Sequence, residues 1–586
     1  MTTTFNPPLP QDTQLASHWQ QTFGCATSLA LANAAANSEG PLLLICQDNE
    51  SVEQFKRELR YFCSKLPNKA NPVQVFSLPD WETLPYDNFS PHQDIVSDRL
   101  SALYHLPDLQ QGILVTSIGS LMHKLPPKKY IRGNSLDLAV GQQLSIQDMR
   151  SRLVDAGYQS VDSVFEHGEF AVRGSILDIY PMGSRFPYRI DLLDDEIETL
   201  RTFNPETQRS DQRIEQIRLL PGREYPLDAR GITAFRSNFR EKFDVDLRQC
   251  PIYQDVSDGI SSPGLEYYLA LFYERLDSLF DFLPPNTTCC KIGDLAGAGQ
   301  NFWQDIKQRY EDRQIDHYRP ILPPADIFLA IDTVLADLKQ FKQISFASGS
   351  GAVSLQSLRL PDLSSDAKLK TPFAAVEQFI QQNPEQRILF CAESAGRRET
   401  LLDVLKQIQI RPKQFEHLQD FVDSTSSCGI IVAPLDQGLW LEDKKLLLIT
   451  EAQLFGNRIA QRRRRNKNQS NTDFIVKSLT ELSVGDAVVH LDHGVGRYRG
   501  LQTINTDGQD TEFLTLEYAN AAKLYVPVLS LHLISRYGGS DQETAPLNHL
   551  GSDQWQKTKR KAAEKIRDVA VELLDIYAQR EAKKRL

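Results

Sequence analysis

The 586-residue chain contains no Gly-Lys dipeptide at any position. A phosphate-cradling P-loop, GxxxxGK[ST], needs that pair: the backbone N–H groups hold the phosphates and the lysine reaches their outer oxygens. Nucleotide hydrolysis by such a loop is therefore excluded from this stretch of sequence. There is no GxGxxG fingerprint either. Gly349 and Gly351 stand in SGSGAV without a third glycine or a strand–helix frame, and read as a loop. GxSxG and HExxH are likewise absent, which removes two common hydrolase arrangements. The eight cysteines (Cys25, Cys46, Cys63, Cys250, Cys289, Cys290, Cys391 and Cys428) form no CxxC pair. They read as scattered buried thiols of a reducing cytoplasm rather than as a metal or disulfide framework. No apolar run approaches the ~18 residues of a membrane span, and the opening MTTTFNPPLPQDTQ lacks the charged and apolar regions of a signal peptide. Positive charge is in deficit: 65 Lys and Arg against 76 Asp and Glu give a formal charge of −11. Strong general binding to nucleic acid needs clustered cations, so it is not expected of the chain as a whole.

What is present suggests about four domains at roughly 150 residues each. Hydrophobic residues at 41% provide for several cores. Residues 14–37 are Ala-rich and predict a helix. PLLLIC (41–46) predicts a buried parallel strand, followed by an amphipathic helix at SVEQFKRELRYF with Ser51 as its N-cap. QVFSLP and GILVTS predict further strands, and the β-α-β alternation predicts an open α/β sheet. Residues 130–220 are strand-dominated, as in a smaller α+β unit. Residues 225–345 return to a mixture, with helices predicted around SPGLEYYLALFYERLDSLF and GQNFWQDIKQRYEDR. A second α/β pattern runs through QRILFCAES, GRRETLLDVLKQIQI, GIIVAPL and KKLLLITE. The segment QRRRRNKNQSN (461–471) has no apolar residue and reads as a linker. Residues 479–537 are β-rich, suiting a small barrel. The chain closes on a predicted long helix, capped by Ser552 or Asp553, whose Ala562, Ile566, Val569, Leu573 and Ile576 form one apolar stripe. His490 and His493 stand three apart in VVHLDHG, but the pattern is a turn entering Gly494 and Gly496, so no metal site is expected. No acid–base constellation stands out.

Long stretches of this sequence closely resemble the bacterial transcription-repair coupling factor family, Mfd. They are LPDWETLPYDNFSPHQDIVSDRLSALYHL (78–106), FEHGEFAVRGSILDIYPMG (165–183), YRIDLLDDEIETLRTFNPETQRS (188–210), VVHLDHGVGRYRGL with AKLYVPVLSLHLISRY, and KAAEKIRDVAVELLDIYAQR. The resemblance is to that family's N-terminal half. It implies a multidomain α/β chain: a UvrB-like α/β domain in two parts (1–128 and 223–350), interrupted by a UvrA-binding α+β insert (129–222). A linking α/β domain (372–458), a linker (459–478), a Tudor-like β-barrel that binds RNA polymerase (479–546) and a helix leading toward a translocase motor (550–586) follow. ATP, magnesium and DNA belong in the family to that motor, so no cofactor, metal or catalytic residue is expected in this chain, and DNA contact is expected only through the motor. Where UvrB carries its phosphate loop this chain has FGCATSLALANA (23–34), without the Gly-Lys pair. A UvrB-like damage-verifying ATPase is the alternative reading, and the same missing loop counts against it.

The expected function is recruitment of UvrA to RNA polymerase stalled at DNA lesions. If residues 170–180 and 188–193 pair as one antiparallel hairpin, then Val172, Ile176, Tyr180, Tyr188, Ile190 and Leu192 share an apolar face. Arg173, Arg189 and Leu193 then fall on the other, two arginines beside an exposed leucine, as in many hot spots. The resemblance implies that these three contact UvrA. The competing reading pairs the arginines with Asp191, Asp195 or Glu196. Removing both arginines is expected to abolish UvrA binding without unfolding. A small barrel with an open edge commonly docks a partner by strand addition, and the predicted strand GLQTIN would present Ile504 there; the resemblance implies that Ile504 contacts the polymerase β subunit, and the competing place for it is the barrel core. In the family a C-terminal domain is thought to cover the UvrA surface, so binding by this chain is expected to be constitutive.

Overall fold

A computed structural model describes residues 4–13, 16–65, 73–346, 352–365, 373–455, 484–490, 493–506, 509–527, 534–536 and 547–549. The arginine-rich segment 461–471 and the closing helix lie outside the described residues. The chain divides into two compact units, Met1–Trp81 with Pro85–Arg458, and Glu82–Leu84 with Ile459–Leu586.

The first unit begins with a short strand, β1 (Ser17–Gln20), then α1 (Ala26–Asn37), β2 (Leu42–Cys46), α2 (Asn49–Ser64), β3 (Gln74–Leu78), α3 (Gln93–His105) and β4 (Gly112–Ser117). These build a seven-stranded parallel sheet in the order Val353–Ser354, β1, Lys342–Phe346, Thr288–Ile292, β2, β4, β3. β2 and β4 are buried at every position, as a central strand covered by helices on both faces demands. Two expectations need correction here. The stretch expected as one helix over 14–37 holds, in its described residues 16–37, a strand and then a helix: Gly24 at φ +59° turns the chain before α1 starts. The N-cap of α2 is Asp48, whose carboxylate accepts from the Ser51 N–H at 2.7 Å; Ser51 is the donor, already inside the helix.

After β4 the chain leaves this sheet and rejoins it only at Thr288–Ile292; the insert lies between. Its main sheet has six strands in the order Ser210–Ile214, Glu196–Phe203, Tyr188–Leu193, Ile176–Ile179, Glu169–Arg173, Gln159–Ser160, antiparallel except at the last pair. The base of the insert is pinned by a buried ion pair. Arg99 of α3, fully buried, holds Glu224 and donates to the Pro79 carbonyl at 2.9 Å, with its guanidinium 5.3 Å from the Trp81 ring. His167 adds a second tie between Asp94 (2.9 Å) and the Ser184 carbonyl (2.8 Å). Beyond the insert, the predicted helix around SPGLEYYLALFYERLDSLF is instead a 3₁₀ turn, Leu265–Leu271, followed by the separate short helix Leu279–Phe282. The helix Leu295–Arg313 is as expected.

The second α/β layer orders its strands Ser357–Leu358, Leu439–Leu441, Leu446–Thr450, Arg387–Ala392, Cys428–Val432, Lys413–Gln414. The last four are parallel to one another. Its Leu389, Phe421, Leu439 and Leu448 share one apolar core with Leu29 and Leu31 of α1 and Leu44 of β2. All eight cysteines are free thiols, and only Cys428 is not fully buried.

The second unit holds a five-stranded antiparallel sheet, in the order Lys523–Pro527, Gln509–Glu517, Gly494–Thr506, Ala487–His490, Ile534–Arg536. Val488, Tyr498, Leu514, Leu516, Tyr518, Val526 and Ile534 form its core. Pairing of the two outer strands, which would close a barrel, is not seen among the described residues.

Candidate protein-docking surfaces

On the insert, the segment expected to be one strand is two. Glu169–Arg173 and Ile176–Ile179 form their own hairpin across Gly174 (φ +63°) and Ser175. The Ile176–Ile179 strand then pairs with Tyr188–Leu193 in the register Asp178↔Arg189 and Leu177↔Ile190. Phe170, Leu177, Ile179, Ile190 and Leu192 are buried in the core. Strand alternation therefore puts Arg173, Ile176, Asp178, Arg189, Asp191 and Leu193 on the outer face. Ile176 and Tyr180 were expected on the core face. The turn at Gly174 changes the parity and moves both to the other side. Tyr180 packs there with Val164, Ala171 and Phe203 in a small satellite core.

The three expected contact residues share this outer face but differ in what holds them. Leu193 is 63% exposed. It ends its strand just before the turn at Asp194 (φ +56°) and Asp195, and shares a shallow depression with Gln143, Asp194, Asp195, Glu196 and Glu198. Arg173 is exposed; it donates to the Asp162 carbonyl (2.9 Å) and the Ser163 hydroxyl (3.1 Å) and makes no ion pair among the described residues. Arg189 is committed internally. Its Nε and Nη2 grip the two oxygens of Asp178 at 2.7 and 2.9 Å, and Nη1 donates to the Gln208 carbonyl and the Ser210 hydroxyl, each at 3.2 Å. Its guanidinium lies 5.0 Å from the Phe203 ring centroid. Asp178 is 1% exposed, so Arg189 neutralises a buried charge. Its partner is Asp178 rather than the surface carboxylates Asp191, Asp195 or Glu196. Removing Arg189 strands that carboxylate, so the double arginine truncation would perturb the fold as well as the surface.

Sequence reasoning passed over two exposed aromatics of the insert. Phe165 is 54% exposed and Phe186 47% exposed, the latter with Arg185 stacked over it at 5.3 Å. A signal was available: each sits among turn-forming or charged residues, outside any apolar alternation.

In the second unit, Ile504 lies on the strand Gly494–Thr506 and pairs with Thr511. The expected strand GLQTIN is the second half of this longer one, set off by a bulge between Tyr498 and Leu501 and by Gly500 at φ +107°. Ala487–His490 covers only its first half. Residues 501–506 therefore have a strand neighbour on one side only, among the described residues. The Ile504 side chain lies outside the described residues.

The match of known domain families follows these surfaces. The UvrB interaction domain matches residues 136–225. A domain described as "MFD, D3 domain" matches 379–454, and the CarD-like/TRCF RID domain matches 482–538. Whole-chain similarity is to proteins named transcription-repair-coupling factor. That of Haemophilus influenzae is 44% identical over 95% of this chain and 48% of its own length. Those of Escherichia coli and Bacillus subtilis are 42% and 26% identical, each over 96% of this chain and 48% of the relative. The chain spans about half the length of these relatives. On domain content and on similarity along nearly its whole length, the chain belongs to the transcription-repair-coupling factor family.

Proposed function

We propose that this chain is a recruiting adaptor of transcription-coupled DNA repair. One domain binds RNA polymerase stalled at a lesion, and the insert binds UvrA for nucleotide excision repair. The observation that carries the reading is the presence, on one chain without a P-loop, of a UvrB interaction domain and a CarD-like/TRCF RID domain. On the insert, Leu193 is the apolar anchor, Arg173 an accessible donor beside it, and Arg189 the residue that holds the sheet on which both stand. On the other unit, the one-sided strand around Ile504 offers backbone donors and acceptors to a strand of the polymerase β subunit, in a Tudor-like barrel. The domain limits set out above, 129–222 for the insert and 479–546 for the polymerase-binding domain, are kept in this reading. We place the protein in the cytoplasm. ATP, magnesium and DNA are assigned to the family's motor rather than to these domains. The UvrB-like ATPase is disfavoured by the lysine-free loop before α1.

A bridging assay tests the proposal. With RNA polymerase immobilised, UvrA should be retained only when this chain is present. Leu193→Asp should lower UvrA retention at least tenfold with polymerase binding unchanged, and Ile504→Arg should do the reverse. UvrA retained equally without the chain, or both variants behaving as the unaltered protein, would sink the adaptor reading.

A further inference from the structure

A helix with no capping side chain must find acceptors for its first amides elsewhere. α1 is such a helix. Cys25 at its N-cap offers no side-chain bond, and its first turn carries no acid. Its N-cap amide, and an amide of the turn before it, are met from the far side of the shared core, whereas the Ala26 N–H stays within the turn and donates to the Phe23 carbonyl at 3.2 Å. The Cys25 N–H donates to the Gly438 carbonyl at 3.1 Å, and the Phe23 N–H donates to the Ser357 hydroxyl at 2.7 Å. Gly438 lies in the loop that leads into the strand Leu439–Leu441 of the second α/β layer.

Both positions need glycine, Gly24 because of this approach and Gly438 because of the packing behind it in its own layer. A Cβ on Gly24, itself at φ +59°, would lie 2.0 Å from the Gly438 oxygen. A Cβ on Gly438 would lie 2.2 Å from the Leu448 carbonyl oxygen and 2.3 Å from Gln453 Oε1. The neighbouring residues reinforce the join. Arg57 of α2 forms an ion pair with Asp436, and Thr450 donates its hydroxyl to the Asp436 carbonyl at 3.1 Å. Behind α1, Glu58 is 1% exposed and accepts hydrogen bonds from Ser28 and Gln54.

We propose that residues 436–438 are a built-in ligand for the N-terminal end of α1. They take, from within the chain, the place an anion would occupy at an open helix N-terminus, and they lock the two α/β sheets into a single body. A phosphate could enter only if the Gly438 carbonyl withdrew, and withdrawal would also part the glycine contact, the Arg57–Asp436 pair and the apolar core common to both sheets. The chain has thus exchanged a site that an external ligand could open and close for a permanent internal clasp.

Hydrogen–deuterium exchange on the full chain tests this. The peptide containing Phe23 and Cys25 should exchange as slowly as the peptide containing β2, and millimolar inorganic triphosphate with magnesium should leave its rate unchanged. Gly24→Ala should speed exchange of that peptide at least tenfold while β2 stays protected, and should split the calorimetric unfolding of the first unit into two transitions. Arg57→Ala, which adds no atom to the join, should speed exchange of the same peptide in the same direction should Gly24→Ala not fold. Free exchange of the peptide in the unaltered chain, its protection by triphosphate, or unchanged exchange in both variants would overturn the clasp.

Discussion

In the functions proposed above, the insert's outer face and the N-terminal end of α1 both receive a partner, and they differ in whether the partner is already part of the chain. At α1 the acceptor comes from a segment about 400 residues away, and a glycine on each side lets the two backbones meet. On the insert, Leu193 and Arg173 stand in solvent while Arg189 beneath them is tied to a buried carboxylate. A filled site shows itself by side chains that are missing, because a Cβ would collide. An open one shows itself by exposed side chains on a rigid support, because docking costs less when the surface is already ordered.

Three substitutions sharpen that contrast, in falling order of effect. Arg189→Ala should lower the stability of the insert by about 3 kcal/mol, since it leaves Asp178 buried and unpartnered. Denaturant unfolding checks this, and Asp178→Asn combined with Arg189→Ala should recover part of the loss. A change below about 1 kcal/mol would return Arg189 to the surface class.

Glu58 comes next. Burial pushes its carboxyl from 4.5 up to about 7, with Asp436 adding in the same direction and Ser28, Gln54 and Arg57 opposing. The folded protein therefore keeps this proton through a window in which the unfolded chain has released it. Its stabilising contribution is complete below pH 4.5 and is lost as pH rises to about 7. Glu58→Gln should remove about 3 kcal/mol of that pH-dependent loss between pH 5 and 8. The comparison must be variant against unaltered protein at each pH. His123, held by burial down to about 3, works in the opposite sense: it stays neutral in the fold, and its contribution is lost as pH falls below its ordinary value of 6.5. Equal pH profiles for the two proteins would remove Glu58 from the account.

Arg173→Ala should have the smallest effect. Stability should stay within about 0.5 kcal/mol, while UvrA affinity falls roughly five- to tenfold, about 1 kcal/mol. Unchanged affinity in a titration at moderate salt would confine recognition to Leu193 and its neighbours.

Much of the architecture was legible from residue patterns. LLLIC and the unbroken ILV of GILVTS announce central parallel strands, and the period of residues 51–62 announces the helix packed on them. What was missed turns on single residues. Gly24 separates β1 from α1 inside an Ala-rich stretch that otherwise reads as one helix. Gly174 divides an apparently continuous strand and so reverses the facing of Ile176 and Tyr180. In both cases the glycine acts through a positive φ, which carries no hydrophobic signature. That Arg173, Arg189 and Leu193 share one face of the sheet was reachable from strand alternation. The different status of Arg189 was not, because its partner Asp178 looks like any polar residue of a strand until burial is known. The acceptor for the Cys25 amide could not be read at all, since Gly438 is distant in sequence and contributes only its backbone.

That distance also bears on how the chain is made. α1 cannot have its N-cap amide satisfied natively until Gly438 has left the ribosome. At about 5–20 residues per second this is a wait of roughly 20–80 s. β1 waits nearly as long for its two neighbours, Lys342–Phe346 and Val353–Ser354. The insert, whose six strands all lie within about 60 residues of one another, can pair its sheet long before. The surface proposed for a partner is therefore completed early in synthesis, while the layer that carries it is finished among the last parts of the first unit.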